Sequence, residues 1–388
     1  MNPTPRKLRI LFLIDFWGPP AGTERHLAYL LKNLDRDRFE CRVVIFRHLP
    51  NALTDEAIAS GIDVQPISVD RYYTPKALRQ AAVLRKYIRA HDIDIVQSFH
   101  FKSDVYGAVV ARLSGVKHFV ASKRDAADYK NGLHFLLHRL VRPITQHYIA
   151  VSKVVADVLT RKERVPEECI SVIYNGVDLE RFTVPDAATR SAARAALGFT
   201  SEHFVIGMSA AFRPEKDHAL LLGAFREFHR RHPSARLVLM GGGDLFEHYR
   251  NETSQNDLAG VVTFTGPVDD VAPTLHAMDI AVLIPSMNEG FSNSIIEKMA
   301  VGLPMVVTRI GGNAEAVDDG KTGFVIPPRD GAALLDAIGK LHDDPELRAR
   351  AGAAARRRAE DLFSLPQMIQ RHESLYRSLS PAFATEAA

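Results

Sequence analysis

Two carboxylates eight residues apart, Glu289 and Glu297, flank the turn Gly290-Phe291-Ser292-Asn293, and Lys216 stands in a Pro-Glu-Lys loop of the same half of the chain. A hydrophobic strand ending at Pro285 leads into this segment, and a helix is expected from about Ser292 to Ser294 onward. The first backbone N–H groups of such a helix have no partners inside it. With the helix dipole they form a cradle for a diphosphate. Gly290 lets backbone approach a ligand closely. Glu289, just before the helix, can accept bonds from sugar hydroxyls, and Glu297, about a turn in, can grip a ribose diol. The spacing has a second reading: Ser294 to Glu297 also fits a capping box, in which Glu297 merely caps the helix.

The elements that must position these groups alternate. In the first half the expected strands are Leu8–Asp15, Cys41–Arg47, Asp63–Ile67, Asp94–Phe99, His118–Lys123, Gln146–Val151 and Ile170–Tyr174. In the second half they are Phe204–Ala210, Arg236–Met240, Val261–Thr265, Ile280–Pro285, Pro304–Thr308 and Gly323–Ile326. Segments of helical length lie between them, such as Glu24–Asn33, Pro75–Ala90, Val105–Leu113, Ala219–Arg231 and Ser294–Val301. Apolar strands alternating with helices predict parallel sheets covered on both faces. The pattern runs twice, so the fold class is α/β with two Rossmann-like doubly wound domains facing a central cleft. Residues 1–180, completed by a C-terminal helix within 365–388, form the first domain, and 181–364 the second. The hinge falls near Asn175-Gly176-Val177-Asp178, where turn residues follow a strand. Leu362 to Leu379 reads as a helix. Ligands of such sheets bind at the carboxyl ends of the strands.

Bulk properties narrow the classes. The 388 residues suit two domains, and 46% hydrophobic with 24% charged residues is an ordinary globular balance. Cys41 and Cys169 are the only cysteines, too few for a disulfide framework or a cysteine metal site, which fits a reducing cytoplasm. The apolar run Ile10 to Ile14 is too short for a signal-peptide core, and no apolar stretch approaches the roughly 20 residues that span a bilayer. The net charge of +3 hides an asymmetry: residues 1–178 hold 27 Lys+Arg against 19 Asp+Glu, about +8, leaving about −5 for the remainder. A basic half favours anionic partners such as phosphates or lipid head groups. No basic-aromatic motif or helix-turn-helix pattern points to nucleic acid.

The string from Glu289 through Gly302-Leu303-Pro304 closely resembles the E-x7-E signature of glycosyltransferase family 4. Ile310-Gly311-Gly312-Asn313-Ala314-Glu315 and Asp319-Gly320-Lys321-Thr322-Gly323 resemble that family's next two landmarks, and the likeness continues through Pro214-Glu215-Lys216, Asn175 to Asp178 and Gly22-Thr23-Glu24-Arg25-His26. Nearly the whole chain is covered, in order. The resemblance implies a GT-B fold and a hexosyltransferase type of enzyme that moves sugar from a nucleoside diphosphate with retention of configuration. The acceptor would be a saccharide or a lipid-linked saccharide, in polysaccharide or lipopolysaccharide assembly.

It also implies roles. Glu289 contacts the donor sugar, the backbone of Gly290, Phe291, Ser292 and Asn293 the sugar and phosphates, Glu297 the ribose, and Lys216 the diphosphate. The family usually places an arginine five residues before this lysine, where the chain has Ala211, and Arg213 is the candidate for the missing charge. Gly22 lies in a loop like the family's Gly-Gly loop, with the first glycine replaced by Ala21. The alternative for that loop is a plain strand–helix turn capped by Thr23. Many relatives carry a sugar-binding histidine near the end of the fourth strand; alignment puts Phe99 there, and His100, one later, is the candidate. Arg124 and Asp125, after the fifth strand, could read an acceptor or pair with each other. No cofactor is expected, and no metal: Asp92-Ile93-Asp94 has a D-x-D pattern but opens its strand, away from the cleft end. Gly241 to Asp244 resembles a family loop near the donor, without a catalytic role, and Phe264 to Val268 is a candidate for nucleobase contacts.

The basic and apolar stretch Leu133 to Arg142 could lie on an anionic membrane. Packing of its apolar side on the core is the slightly favoured alternative. Two other functions compete with transfer. One is a nucleotide-sugar epimerase of GT-B type, whose acid/base carboxylates are not seen. The other is a non-catalytic nucleotide-sugar-binding subunit, which Ala211 and Ala21 would suit.

Overall fold

Strand β1 (Leu8–Trp17) carries almost only apolar residues and is buried along both faces, as a central parallel strand must be. The computed structural model describes residues 6–18, 22–70, 74–125, 132–287 and 289–380. They form two compact units, 1–175 with 366–388, and 176–365.

In the first unit β1 is joined by β2 (Phe39–His48), β3 (Asp63–Pro66), β4 (Ile95–Ser98), β5 (His118–Lys123), β6 (His147–Ala150) and β7 (Ile170–Val172). Their spatial order is β3-β2-β1-β4-β5-β6-β7. Every pairing is parallel; β1 meets β2 with Leu8 opposite Phe39 and β4 with Ile10 opposite Ile95. Helices cross between strands, and their starts are written locally. Helix Pro75–Ala90 begins with Thr74 accepting from Ala77 N–H and with proline in its first turn, where proline loses no bond.

The second unit repeats the scheme with β8 (Phe204–Ser209), β9 (Ala235–Met240), β10 (Val262–Gly266), β11 (Ile280–Leu283), β12 (Met305–Thr308) and β13 (Gly323–Ile326), in the order β10-β9-β8-β11-β12-β13. All of its pairings are parallel too. β8, β11 and β12 are buried almost throughout.

At the C-terminus the helix expected over Leu362 to Leu379 forms over Leu365–Leu379. Helix Pro345–Leu362 stops, and a separate helix Leu365–Leu379 follows. The break is a backbone clasp: Val177 N–H donates to Phe363 O at 2.8 Å, and Leu365 N–H donates to Val177 O at 3.0 Å. The clasp keeps residues 176–180 with the second unit, so the units divide at 175/176 and 365/366 instead of the expected 180/181 and 364/365. The last helix packs into the first unit, burying Met368, Ile369, Leu375 and Tyr376, and Tyr376 OH donates to Gln97 Oε1 at 2.7 Å. Each such buried apolar side chain contributes about 1.5–3 kcal/mol.

Candidate functional site

In the second sheet the chain moves outward in opposite directions from β8 and β11, so the loops after these neighbouring strands splay apart and leave a crevice at their carboxyl ends. Those two loops carry Lys216 and Glu289. Lys216 Nζ lies 2.6 Å from Glu289 Oε2, with both side chains largely buried. Backbone joins the loops as well, since Ser286 N–H donates to Glu215 O at 2.8 Å.

A third loop, after β12, supports Glu289 from beneath. Gly312 N–H donates to Gly290 O at 2.9 Å. Gly311 has φ +53°, and a Cβ there would fall 1.5 Å from Glu289 O, so only glycine lets the two backbones meet. In the sequence Gly311 and Gly312 were landmarks without a job, and their contact with Glu289 spans more than twenty residues of chain. Thr308, fully buried at the end of β12, donates its hydroxyl to Pro285 O at 2.6 Å.

The helix is Asn293–Ala300, with Ser292 as its N-cap residue but no side-chain cap bond. Ser294 therefore sits inside the first turn. Its hydroxyl donates to Ser209 O at 2.8 Å. The capping-box alternative for Ser294 and Glu297 fails on this register, because the serine side chain is committed to β8 and Glu297 stands beyond the third helical position. Glu297 is half-buried. Phe291 turns its ring inward, 6% exposed and 5.3 Å from the Phe363 ring, so it anchors the loop and offers a ligand only backbone. Gly290 is buried, and Asn293 keeps a buried Oδ1 with no hydrogen-bond partner among the described residues. Arg213 is exposed and makes no side-chain hydrogen bond among the described residues. Its backbone carbonyl instead closes the turn by accepting from Lys216 N–H at 3.0 Å.

The first sheet has the same outward reversal between β1 and β4. There Asp15 accepts from the backbone N–H of Lys102 at 2.9 Å and of Ser103 at 2.6 Å, closing the N-terminus of helix Phe101–Ser114. Burial pushes the Asp15 carboxyl up, against the pull of His100 and these N–H groups. His100 is the residue before that helix and stacks on Phe16 at 5.0 Å, with a buried Nδ1 that has no hydrogen-bond partner among the described residues. Phe99 is core, 2% exposed. Asp15 was missed in the sequence; the one available signal was a lone acid near the end of an apolar strand.

Gly22 is exposed and opens helix Gly22–Asn33. Pro19, Pro20 and Ala21 lie outside the described residues, as does Asn288. Arg124 donates to Asn175 Oδ1 at 2.6 Å, and burial pulls its guanidinium down to about 10. Asp125 is half-buried beside it in sequence. Asp94 accepts from Arg9 N–H and from the Arg6 guanidinium, and Asp92 pairs with Arg9, so the D-x-D pair ties β1 to the start of β4.

Two doubly wound parallel units, the second with an acid, a lysine and an open helix N-terminus at its switch point, define an α/β protein of the GT-B fold. Two family models cover successive parts of the chain, Glycosyltransferase Family 4 over residues 20–181 and Glycosyl transferases group 1 over residues 189–358. The chain belongs to the family 4 type of glycosyltransferases. A D-inositol 3-phosphate glycosyltransferase of Saccharomonospora viridis is 33% identical over 59% of this chain and 54% of its own length. A UDP-Gal:alpha-D-GlcNAc-diphosphoundecaprenol alpha-1,3-galactosyltransferase of Escherichia coli is 25% identical over 80% of this chain and 84% of its own length. The chain spans only about half to two thirds of the inositol phosphate glycosyltransferases it matches. An Anabaena protein crystallised with UDP and glucose superposes with a TM-score of 0.82 over 96% of this chain and 100% of its own, at 23% identity.

Proposed function

We propose that this chain transfers a hexose from a nucleoside diphosphate donor to a hydroxyl of a saccharide or lipid-linked acceptor in cell-surface polysaccharide or lipopolysaccharide synthesis, with retention of configuration. The observation that carries the reading is the 2.6 Å contact of Lys216 with Glu289 beside the open N-terminus of helix Asn293–Ala300. The bond from the anomeric carbon to the leaving phosphate breaks, and the acceptor oxygen bonds to that carbon on the same face. The acceptor proton passes to the departing phosphate, so the reaction needs no protein nucleophile. Glu289 orients the sugar, Glu297 holds the ribose, and Lys216 with the helix N–H groups stabilises charge growing on the diphosphate. These groups supply that compensation without a metal. Arg124 and Asp125 are assigned to the acceptor.

Thermal-shift measurements with UDP, GDP, ADP and their hexose conjugates, followed by a turnover assay, test the reading. One donor class should raise the melting temperature and be consumed; stabilisation by none of them rejects the site. Glu297→Ala is expected to weaken nucleotide affinity about 10-fold, one hydrogen-bonded charged contact; a loss of stability with no change in affinity would reject the ribose role.

A second reading concerns the acceptor's setting. Helix Gly132–Val141 turns His138 and Val141 inward, half-buries Phe135 and Leu137, and leaves Leu133, Leu136 and Leu140 exposed by 60%, 52% and 66%, so only part of its apolar surface packs on the core. Arg139, Arg142, Arg161, Lys162 and Arg164 are exposed nearby in the chain, and Arg139 and Arg142 bond to the backbone at Lys162 and Arg164. An apolar stripe with a basic border suits an anionic lipid surface. No helix of the described residues is long and apolar enough to cross a membrane. The chain should co-sediment with phosphatidylglycerol vesicles and not with phosphatidylcholine vesicles, and Leu136→Asp with Leu140→Asp should abolish it. Equal sedimentation of the variant would end this reading.

A further inference from the structure

Lys298 has no solvent exposure, although it follows Glu297 directly in the helix that opens at the donor site. Its ammonium donates to Ser209 Oγ at 2.5 Å, to Ser294 O at 3.2 Å and to Ser294 Oγ. Ser209 is the last residue of β8, and Ser294 is in the first helical turn after β11, so the lysine bridges the two strands of the switch point from behind. The serine hydroxyls also lie 2.9 Å from each other.

All three acceptors are neutral, and among the described residues no carboxylate lies within ion-pair distance of the ammonium. A buried cation without a counter-charge is unfavourable, and burial pulls this amine down to about 8 while Glu297 pulls it up. The positive end of a helix lies about a turn away. Two positive features side by side favour an anion at that point. The other cations are differently engaged: Lys216 is held by Glu289, and Arg213 is exposed. Position 211, at the same strand end, is alanine.

We propose that Lys298 is the cation that completes the diphosphate site, acting through the hydroxyl of Ser209 and replacing an arginine absent at position 211. It is a positioning and electrostatic residue; the Ser209 hydroxyl would make the contact. The inference rests on the donor-site reading given above.

The test is calorimetric binding of a nucleoside and its diphosphate, with uridine and UDP or guanosine and GDP according to which base binds. In Lys298→Met the diphosphate should lose about 10- to 100-fold in affinity, while the nucleoside changes less than 3-fold. Adding Ala211→Arg to that variant should recover most of the loss. A lysine that only fastens β8 to the helix would instead weaken both ligands alike, or neither, and arginine at 211 would not help. Lys298→Gln, which keeps a hydrogen-bond donor and removes the charge, gives the same comparison if the methionine variant does not fold. Failure of both to fold makes Lys298 a structural anchor and overturns the inference. If the unsubstituted chain binds no nucleoside diphosphate, the donor-site reading itself has failed; if it binds and the variants keep the full diphosphate increment, only the role of Lys298 has.

Discussion

Lys216→Ala is expected to reduce turnover about 10²- to 10³-fold, the scale on which one charge-stabilising group acts. Negative charge grows on the leaving diphosphate as the sugar bond stretches, so a cation there is worth more in the transition state than in the ground state. The effect should fall mainly on kcat, with a smaller rise in KM for the donor. Lys216 also neutralises Glu289 at 2.6 Å, in a pair whose side chains are 19% and 12% exposed. Removing the lysine leaves a largely buried carboxylate unpaired and should lower stability by about 1–3 kcal/mol. Glu289→Ala should also be severe, and the double variant little worse than the poorer single one, because residues acting as a unit are not additive. Release of nucleoside diphosphate under saturating donor checks the rate, and a melt checks the stability. Turnover within about 3-fold of the parent chain, with the stability loss intact, would reduce Lys216 to a partner of Glu289.

Acidification should unfold the first unit by an effect of comparable weight. His26 and His372 are 2% and 0% exposed, with rings 5.2 Å apart. Burial pulls both down, His26 well below the ordinary range and His372 to about 3, and Arg124 adds to each. In the unfolded chain each takes up a proton near pH 6.5. Between that pH and their folded values the unfolded state holds more protons, so stability falls as pH falls. Each histidine contributes about 1.4 kcal/mol per pH unit well below pH 6.5. Burial lowers His118, His138 and His147 as well, with the same sign. Trp17, the single tryptophan, is fully buried in β1, so its fluorescence in urea titrations at several pH values follows this unit. His372→Gln should flatten the slope by about one proton. A urea midpoint constant from pH 7 to 5 would mean that these histidines charge without unfolding the unit.

Much of the fold was legible in the sequence because its signals are local. Alternating apolar strands and helical spans mark two parallel sheets, and His118–Lys123, Gly323–Ile326 and Pro75–Ala90 form with the bounds expected. The order of motifs marked the family, and with it Glu289, Glu297 and Lys216. The C-terminal helix forms close to the bounds expected, with Pro366 in its first turn; the clasp of Val177 on Phe363 and Leu365 was not legible, because Val177 lies nearly two hundred residues earlier.

The sequence alone determined the number of sheets, their parallel sense and the segment from Glu289 to Glu297, because periodicity and turn chemistry act over a few residues. Only the tertiary structure decided which partners those residues meet. It gave Lys216 to Glu289, set Gly311 beneath the Glu289 backbone, committed the Ser294 hydroxyl to β8 and turned the Leu133, Leu136 and Leu140 face outward. It also placed the Lys298 ammonium behind the start of helix Asn293–Ala300, with no carboxylate within ion-pair distance among the described residues. Each of these depends on strands and loops far apart in the chain arriving side by side, and no pattern of neighbouring residues encodes that arrival.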